Sequence, residues 1–364
     1  MIRIPIYQPS LSGREKEYVM DCLDSTWISS KGSYIGRFEK DFSEKISVNH
    51  ALTVSNGTVA LHLALVALGI GPNDEVIVPS LTYIASVNAI TYTGAKPVFV
   101  DSLPDTWQLD PMDVLQKITP KTRAIMVVHL YGHPCDMDSI MQIAEEHDLF
   151  VVEDCAEAFG STYKGKYVGS IGHIATFSFF GNKTITTGEG GMVVTNTPEL
   201  FSKAAHFRGQ GLAAQREYWH DVIGYNYRMT NICAAIGLAQ LEQADNFIQA
   251  KRDIALRYRK GLANLPVELH SESNDVTHTY WMNSILVEDV KDRDALRTHL
   301  AKDGIETRPL FYPIHTMPMY CAESSDYPVA EYLAARGINL PSWPTMNTQQ
   351  QDLVIESIRR YFQG

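Results

Sequence analysis

Residues 149–161, LFVVEDCAEAFGS, carry a short apolar run that ends on a carboxylate, Asp154, and then gives way to small and polar residues. Four such runs, EVIVPS, PVFVD, AIMVVHL and LFVVEDC, are rich in valine and isoleucine and read as strands. They are apolar throughout, with no alternation of polar positions. Both of their faces must therefore be buried, as in a parallel sheet covered by helices on either side. Between them lie helical patterns such as GTVALHLALVALG, with Leu61, Ala64, Leu65 and Leu68 at helical spacing. The fold class is α/β.

Outward from that core, NICAAIGLAQLEQADNFIQAKRDIALRYRKGLANL has neither proline nor glycine between Gly237 and Gly261, and reads as a long linking helix. Beyond it, VELH and HTYWMNSILVE read as strands, and DRDALRTHLAKDG and TQQQDLVIESIRRYF as helices. The expected division is a large domain over residues 1–240, then the linking helix and a small α+β domain over 241–364. The 364 residues carry a formal net charge of −11, which argues against general binding to nucleic acid or anionic membrane. No apolar stretch approaches bilayer length and the first residues lack a secretory pattern, so a cytoplasmic enzyme is expected. Five scattered cysteines without a C-x-x-C pair fit neither a disulfide framework nor a zinc ribbon.

Asp154 stands at the C-terminal end of its strand, where open parallel sheets place ligands. Buried there, it needs a partner to stay ionised, and a salt bridge is the plain alternative to a functional role. Glu157 follows three residues later, either in the same crevice or as a solvated helix-start carboxylate. In SNGTVAL a strand-like run becomes a helix, so the N–H groups of Gly57 and Thr58 can face an anion, although Ser55 or Asn56 capping the helix explains the same residues. Lys183, in FSFFGNKTITTGEGGMVV, would ordinarily be a snorkelling surface cation. Held in an apolar pocket, it becomes a nucleophilic amine suited to Schiff-base chemistry. An aspartate for a pyridinium nitrogen, a lysine and a helix start for a phosphate together describe a pyridoxal phosphate site.

The tracts SNGTVALHLAL, EVIVPSLTYIASVNAI, HLYGHPCDMD, EDCAEAFGS, TFSFFGNKTITTGEGG and GYNYRMTNICAAIGLAQLEQ resemble, in order and over nearly the whole chain, the motifs of the DegT/DnrJ/EryC1/StrS sugar aminotransferases. The resemblance implies the fold of type I pyridoxal phosphate enzymes and a homodimer or a dimer of dimers. It implies Lys183 as the lysine that binds the cofactor covalently, Asp154 as the partner of the pyridine nitrogen, and Glu157, where many members have glutamine, beside the phenolic oxygen. Tyr83 matches the aromatic that stacks on the pyridine face. Gly57, Thr58 and Ser178 match phosphate-binding positions, and Asn226 the residue that reaches the phosphate from the other subunit. A closer resemblance, carried by STWISSKG, YWHDVIGYNYRMTNICAAIGLAQLEQ and FYPIHTMPMY among others, implies transfer of an amino group from L-glutamate to C4 of GDP-4-keto-6-deoxy-D-mannose for bacterial O-antigen. Members that act as dehydratases carry histidine in place of the lysine, so Lys183 argues against that chemistry. His173 departs from the aspartate common in the related pattern.

A nucleotide diphosphate calls for cationic and stacking partners, and Trp27, Lys31, Arg216, Arg228, Arg308 and His315 are the candidates, each equally able to be a surface residue. His129 and His133 have a zinc-like H-x-x-x-H spacing, but Gly132 and Pro134 oppose the helix it requires, and no metal is expected. GEGG is neither a dinucleotide fingerprint nor a Walker A loop, which disfavours a nicotinamide enzyme. The same amino transfer on a UDP- or dTDP-linked ketosugar remains open, as does a non-catalytic cofactor-binding sensor of this fold.

Overall fold

The computed structural model of the chain describes residues 3–321 and 326–363. The four runs read as strands form one side, up to the β3 edge, of a seven-stranded sheet made of β1 (His50–Val54), β2 (Glu75–Pro79), β3 (Lys96–Val100), β4 (Thr122–Val128), β5 (Phe150–Asp154), β8 (Ile174–Ser178) and β9 (Gly191–Thr195). Two short strands, β6 (Thr162–Tyr163) and β7 (Lys166–Tyr167), lie outside it. The order is β1-β9-β8-β5-β4-β2-β3, and only β9 runs against the rest. Successive strand residues alternate between two cores, as pleating requires. Val76, Val78, Met126 and Val152 pack on one face with Leu61, Leu65, Val87 and Ile90, while Ile77, Ile125, Val127 and Val151 pack on the other with Ile140. Further along that second face Phe38, Phe42, Phe177 and Phe179 form an aromatic cluster. The helix Gly57–Ala67 is buried nearly all round, with His62 and Leu63 buried as well as Leu61, Ala64 and Leu65, because it lies beneath the helices Ile84–Tyr92 and Pro198–Arg208.

The continuous helix expected after Thr230 is two helices, Asn231–Glu242 and Ala244–Gly261, broken at Gln243. A second, antiparallel sheet follows in the order β10-β12-β14-β13, from β10 (Val267–Leu269), β12 (Asn283–Val287), β13 (Arg308–Pro309) and β14 (Gly337–Leu340). The helices Val290–Lys302, Pro328–Arg336 and Thr348–Gln363 pack with it. The run HTYWMNSILVE is strand only from Asn283. Before it Tyr280 takes φ of 50°, a left-handed turn that ends the extended chain. The intervening β11 (Val276–Thr277) pairs with β6 in a separate three-stranded sheet with β7, tying the C-terminal part to the segment between β5 and β8. The amino-terminal segment also belongs there, since Ile4 bridges Ile305.

Candidate active site

The C-terminal ends of β1, β2, β4, β5 and β8 open into one cavity of about 540 Å³. Its lining includes Gly57, Thr58, Tyr83, Asp154, Glu157, Ser178 and Lys183, so seven of the eight residues expected to hold the cofactor meet there in one chain. Asp154 closes β5 and is buried. Its Oδ2 accepts from Ser86 Oγ at 2.8 Å and its Oδ1 from the Ala156 N–H at 3.0 Å. Burial pushes its carboxyl above the ordinary range, and the two hydrogen bonds and Lys183 oppose that push. Glu157 is also buried, accepts from the Tyr131 N–H at 2.8 Å, and is pushed up to about 7 by burial against the pull of Lys183. The Lys183 amine lies 3.8 Å from the centroid of the Trp281 ring, and burial holds it below the usual lysine value despite the two carboxylates. Such an amine gives up its proton more readily than an exposed lysine, which favours a nucleophile.

Opposite this group, Asn56 caps the helix Gly57–Ala67, its Oδ1 accepting from the Val59 N–H at 3.0 Å. The capping and anion-binding readings are therefore compatible, because the first helical N–H groups, those of Gly57 and Thr58, have no intrahelical acceptor and stay available. A Cβ at position 57 would stand 2.7 Å from Ser178 Cβ, so glycine is what allows the helix start and the end of β8 to form one cradle. The residues present fit a phosphorylated pyridine. They offer a cradle for the anion, a buried carboxylate for a ring nitrogen and a depressed amine for an aldehyde carbon.

The eighth residue, Asn226, is exposed away from this cavity and accepts from Arg228 Nε at 3.1 Å. The sugar-nucleotide candidates also lie elsewhere in the chain. Trp27 and Lys31 are exposed near the start of the helix Ser33–Ile46, Arg216 stacks on Trp219, and Arg308 pairs with Glu306. His315 is fully buried between Ser80 Oγ, 2.6 Å from Nδ1, and Glu331, 3.1 Å from Nε2. The structure adds Ser86, Asn182, Trp281 and Phe311 to the cavity. Ser86 lies within LTYIAS, one turn beyond Tyr83, and Phe311 within FYPIHTMPMY. Trp281 has no comparable signal. His173 stands at the far end of β5, where its Nδ1 accepts from the Val151 N–H at 2.9 Å, so its departure from aspartate affects the start of a strand and not the cavity. His129 donates to Glu153, which also accepts from the Gly169, Ile171 and Gly172 N–H groups. Together with Cys155 these side chains are mutually close, but His129 and Glu153 are occupied by internal hydrogen bonds.

The sheet and its cavity define a pyridoxal phosphate-dependent aminotransferase. The chain belongs to the DegT/DnrJ/EryC1/StrS aminotransferase family, whose model matches residues 9–359. It is 66% identical over 359 residues to the GDP-perosamine synthase of Escherichia coli O157:H7, covering 99% of this chain and 98% of that one. To the GDP-perosamine synthase of Vibrio cholerae it is 53% identical, covering 99% of both. Among solved structures, the PMP form of the putative sugar aminotransferase Spr1654 from Streptococcus pneumoniae superposes with a TM-score of 0.95 at 30% identity, covering 99% of this chain and 98% of that one. DesV of S. venezuelae does so at 0.92 and 37%, covering 96% and 95%. Among the described residues, no helix is long and apolar enough to cross a membrane.

Proposed function

We propose that this enzyme transfers the amino group of L-glutamate to C4 of GDP-4-keto-6-deoxy-D-mannose, giving GDP-perosamine for O-antigen. The observation that carries the reading is the 66% identity, end to end, to a GDP-perosamine synthase. When bound, pyridoxal phosphate supplies an electron sink for the pair left when a proton leaves the carbon next to nitrogen. The protein's part is to bind, orient and move protons. The Gly57 and Thr58 N–H groups and Ser178 would hold the phosphate, and Tyr83 would cover the ring face. Asp154 would keep the ring nitrogen protonated, a role its buried, two-point hydrogen-bonded geometry supports. Glu157 would face the phenolic oxygen, its carboxyl pushed up to about 7 by burial. Lys183, the buried amine of the cavity, would take up and return the proton, as base and then acid.

A second copy of the chain completes the site in this proposal. Among the described residues lining the cavity, Lys183 is the one cation, facing Asp154, Glu157 and Glu189. A nucleotide diphosphate needs more positive charge than that. The segment 210–228 carries Arg216, Asn226 and Arg228 and exposes apolar side chains, Tyr218 at 92% and Ile223 at 90%, too open to serve this chain's own core. Insertion into a partner covers them and brings the missing cations. Turnover on GDP-, UDP- and dTDP-linked 4-keto sugars tests the substrate. The GDP sugar should react best, and exclusive use of UDP or dTDP sugars would overturn that assignment.

A further inference from the structure

Lys251 lies on the helix Ala244–Gly261 with none of its surface exposed, and no step above uses it. Its amine donates to the carbonyl oxygens of Trp281, at 2.9 Å, and Ser342, at 2.8 Å, and also meets Ser342 Oγ. The Tyr7 ring centroid is 5.5 Å from the same nitrogen, and the Ser342 N–H donates to Ile6 O at 3.1 Å, so Tyr7's own segment is anchored at this point. Both aromatic residues then reach the turn that carries the reactive amine. Tyr7 Oη donates to Lys183 O at 2.7 Å, and Trp281 Nε1 donates to Asn182 O at 2.7 Å, while the Trp281 ring lies against Lys183 Nζ.

A buried amine is costly unless its hydrogen-bonding groups are all used. Two carbonyls and a hydroxyl match the three N–H donors of this amine one for one. If packing were the only need, methionine would fill the same space without that cost. We propose that Lys251 is a positioning residue for the site: it fixes Tyr7 and Trp281, which fix the backbone of Asn182 and Lys183 and the surroundings of the Lys183 amine. This rests on Lys183 being the reactive amine.

The test reads Lys183 directly and needs no turnover. Cofactor-free protein is trace-acetylated across pH, and the Lys183 peptide is quantified by mass spectrometry against exposed Lys40. Lys251→Met should let the turn relax toward water and slow Lys183 labelling at neutral pH by about threefold, a shift of about half a pH unit. Tyr7→Phe, which removes one hydroxyl, should slow it in the same direction, and the double variant should change by less than the two combined. Folded Lys251→Met with unchanged Lys183 labelling, or additive effects in the double variant, overturns the proposal. If Lys251→Met does not fold, Tyr7→Phe decides, and unchanged labelling there overturns it as well. Failure of Lys183→Ala to abolish turnover would instead sink the functional reading and leave this geometry untouched.

Discussion

Lys183 and Asp154 do opposite things with burial: the amine loses its proton more readily and the carboxyl holds its own more tightly. Neither is left unsupported, which separates this pair from a surface lysine and a structural salt bridge. Lys183→Ala should leave the circular dichroism spectrum unchanged and abolish turnover with glutamate; normal activity would rule out the mechanism. Asp154→Asn should keep bound cofactor but lose about a hundredfold or more in kcat, since an amide does not stabilise the pyridinium charge. A kcat near that of the parent would make Asp154 structural. Glu157 ordinarily titrates near 4.5 and is pushed up to about 7, so in the cofactor-free protein it costs stability as pH rises through that window. Glu157→Gln should therefore raise the melting temperature more at pH 8 than at pH 5, and an equal change at both would contradict the shift. Asp154 and Lys183 were legible in the sequence because a strand end and a glycine-rich turn flank them. Trp281 was not, because an aromatic residue in an apolar run looks the same whether it faces a core or a cavity. For the same reason the sequence cannot distinguish buried His315 from an exposed cation.

At the scale of elements, the helix start at Gly57 and the end of β8 approach so closely that a methyl group does not fit. Gly57→Ala should cost about 1–3 kcal/mol and speed cofactor loss. Gly36, in a helix with nothing within 4 Å of its would-be Cβ, is the control, and Gly36→Ala should be neutral or stabilise by about 0.5–1 kcal/mol. Equal cofactor retention in both variants would argue against the cradle. His133 stacks on His270 and both meet His278 edge-on, His270 lying 4.0 Å from the Trp107 ring, with Arg252, Arg259, Glu272 and Asp105 around them. His270 donates to Thr106 O and accepts from His278, and His278 accepts from the Tyr280 N–H, an arrangement made by neutral rings. Burial lowers all three, His270 to about 3. The unfolded chain thus binds more protons between about pH 6.5 and 3, and stability present above 6.5 is lost as pH falls through that window. Melting temperature should drop from pH 7 to pH 5, and more shallowly in His270→Phe; an unchanged slope would contradict the assignment. The parallel strands were readable because valine-rich runs without alternation have few other solutions. The break at Gln243 and the turn at Tyr280 were not, since each is imposed by packing against distant segments.

For the whole molecule, a cavity with one cation and an exposed loop bearing two more suggest a site shared between copies of the chain. Lys183→Ala chains mixed with cofactor-defective Asn226→Asp chains should regain activity on subunit exchange, because a mixed dimer has one site with both intact residues. Continued inactivity despite demonstrated exchange would count against sharing. The family was legible from ordered motifs along nearly the whole chain. The nucleotide subsite was less so, because its candidates Trp27, Lys31, Arg216, Arg228, Arg308 and His315 are scattered along the chain and do not line the cavity. The central claim is amino transfer to a GDP-linked keto sugar, and its most direct measurement follows the nitrogen. The purified protein is incubated with L-glutamate labelled with ¹⁵N at the amino group and GDP-4-keto-6-deoxy-D-mannose, and the nucleotide sugar is read by mass spectrometry and NMR. The account predicts intact GDP-sugar carrying the label as an amine on C4, formed by the parent enzyme and not by Lys183→Ala. Unlabelled sugar after complete incubation, or label at another carbon, would contradict it.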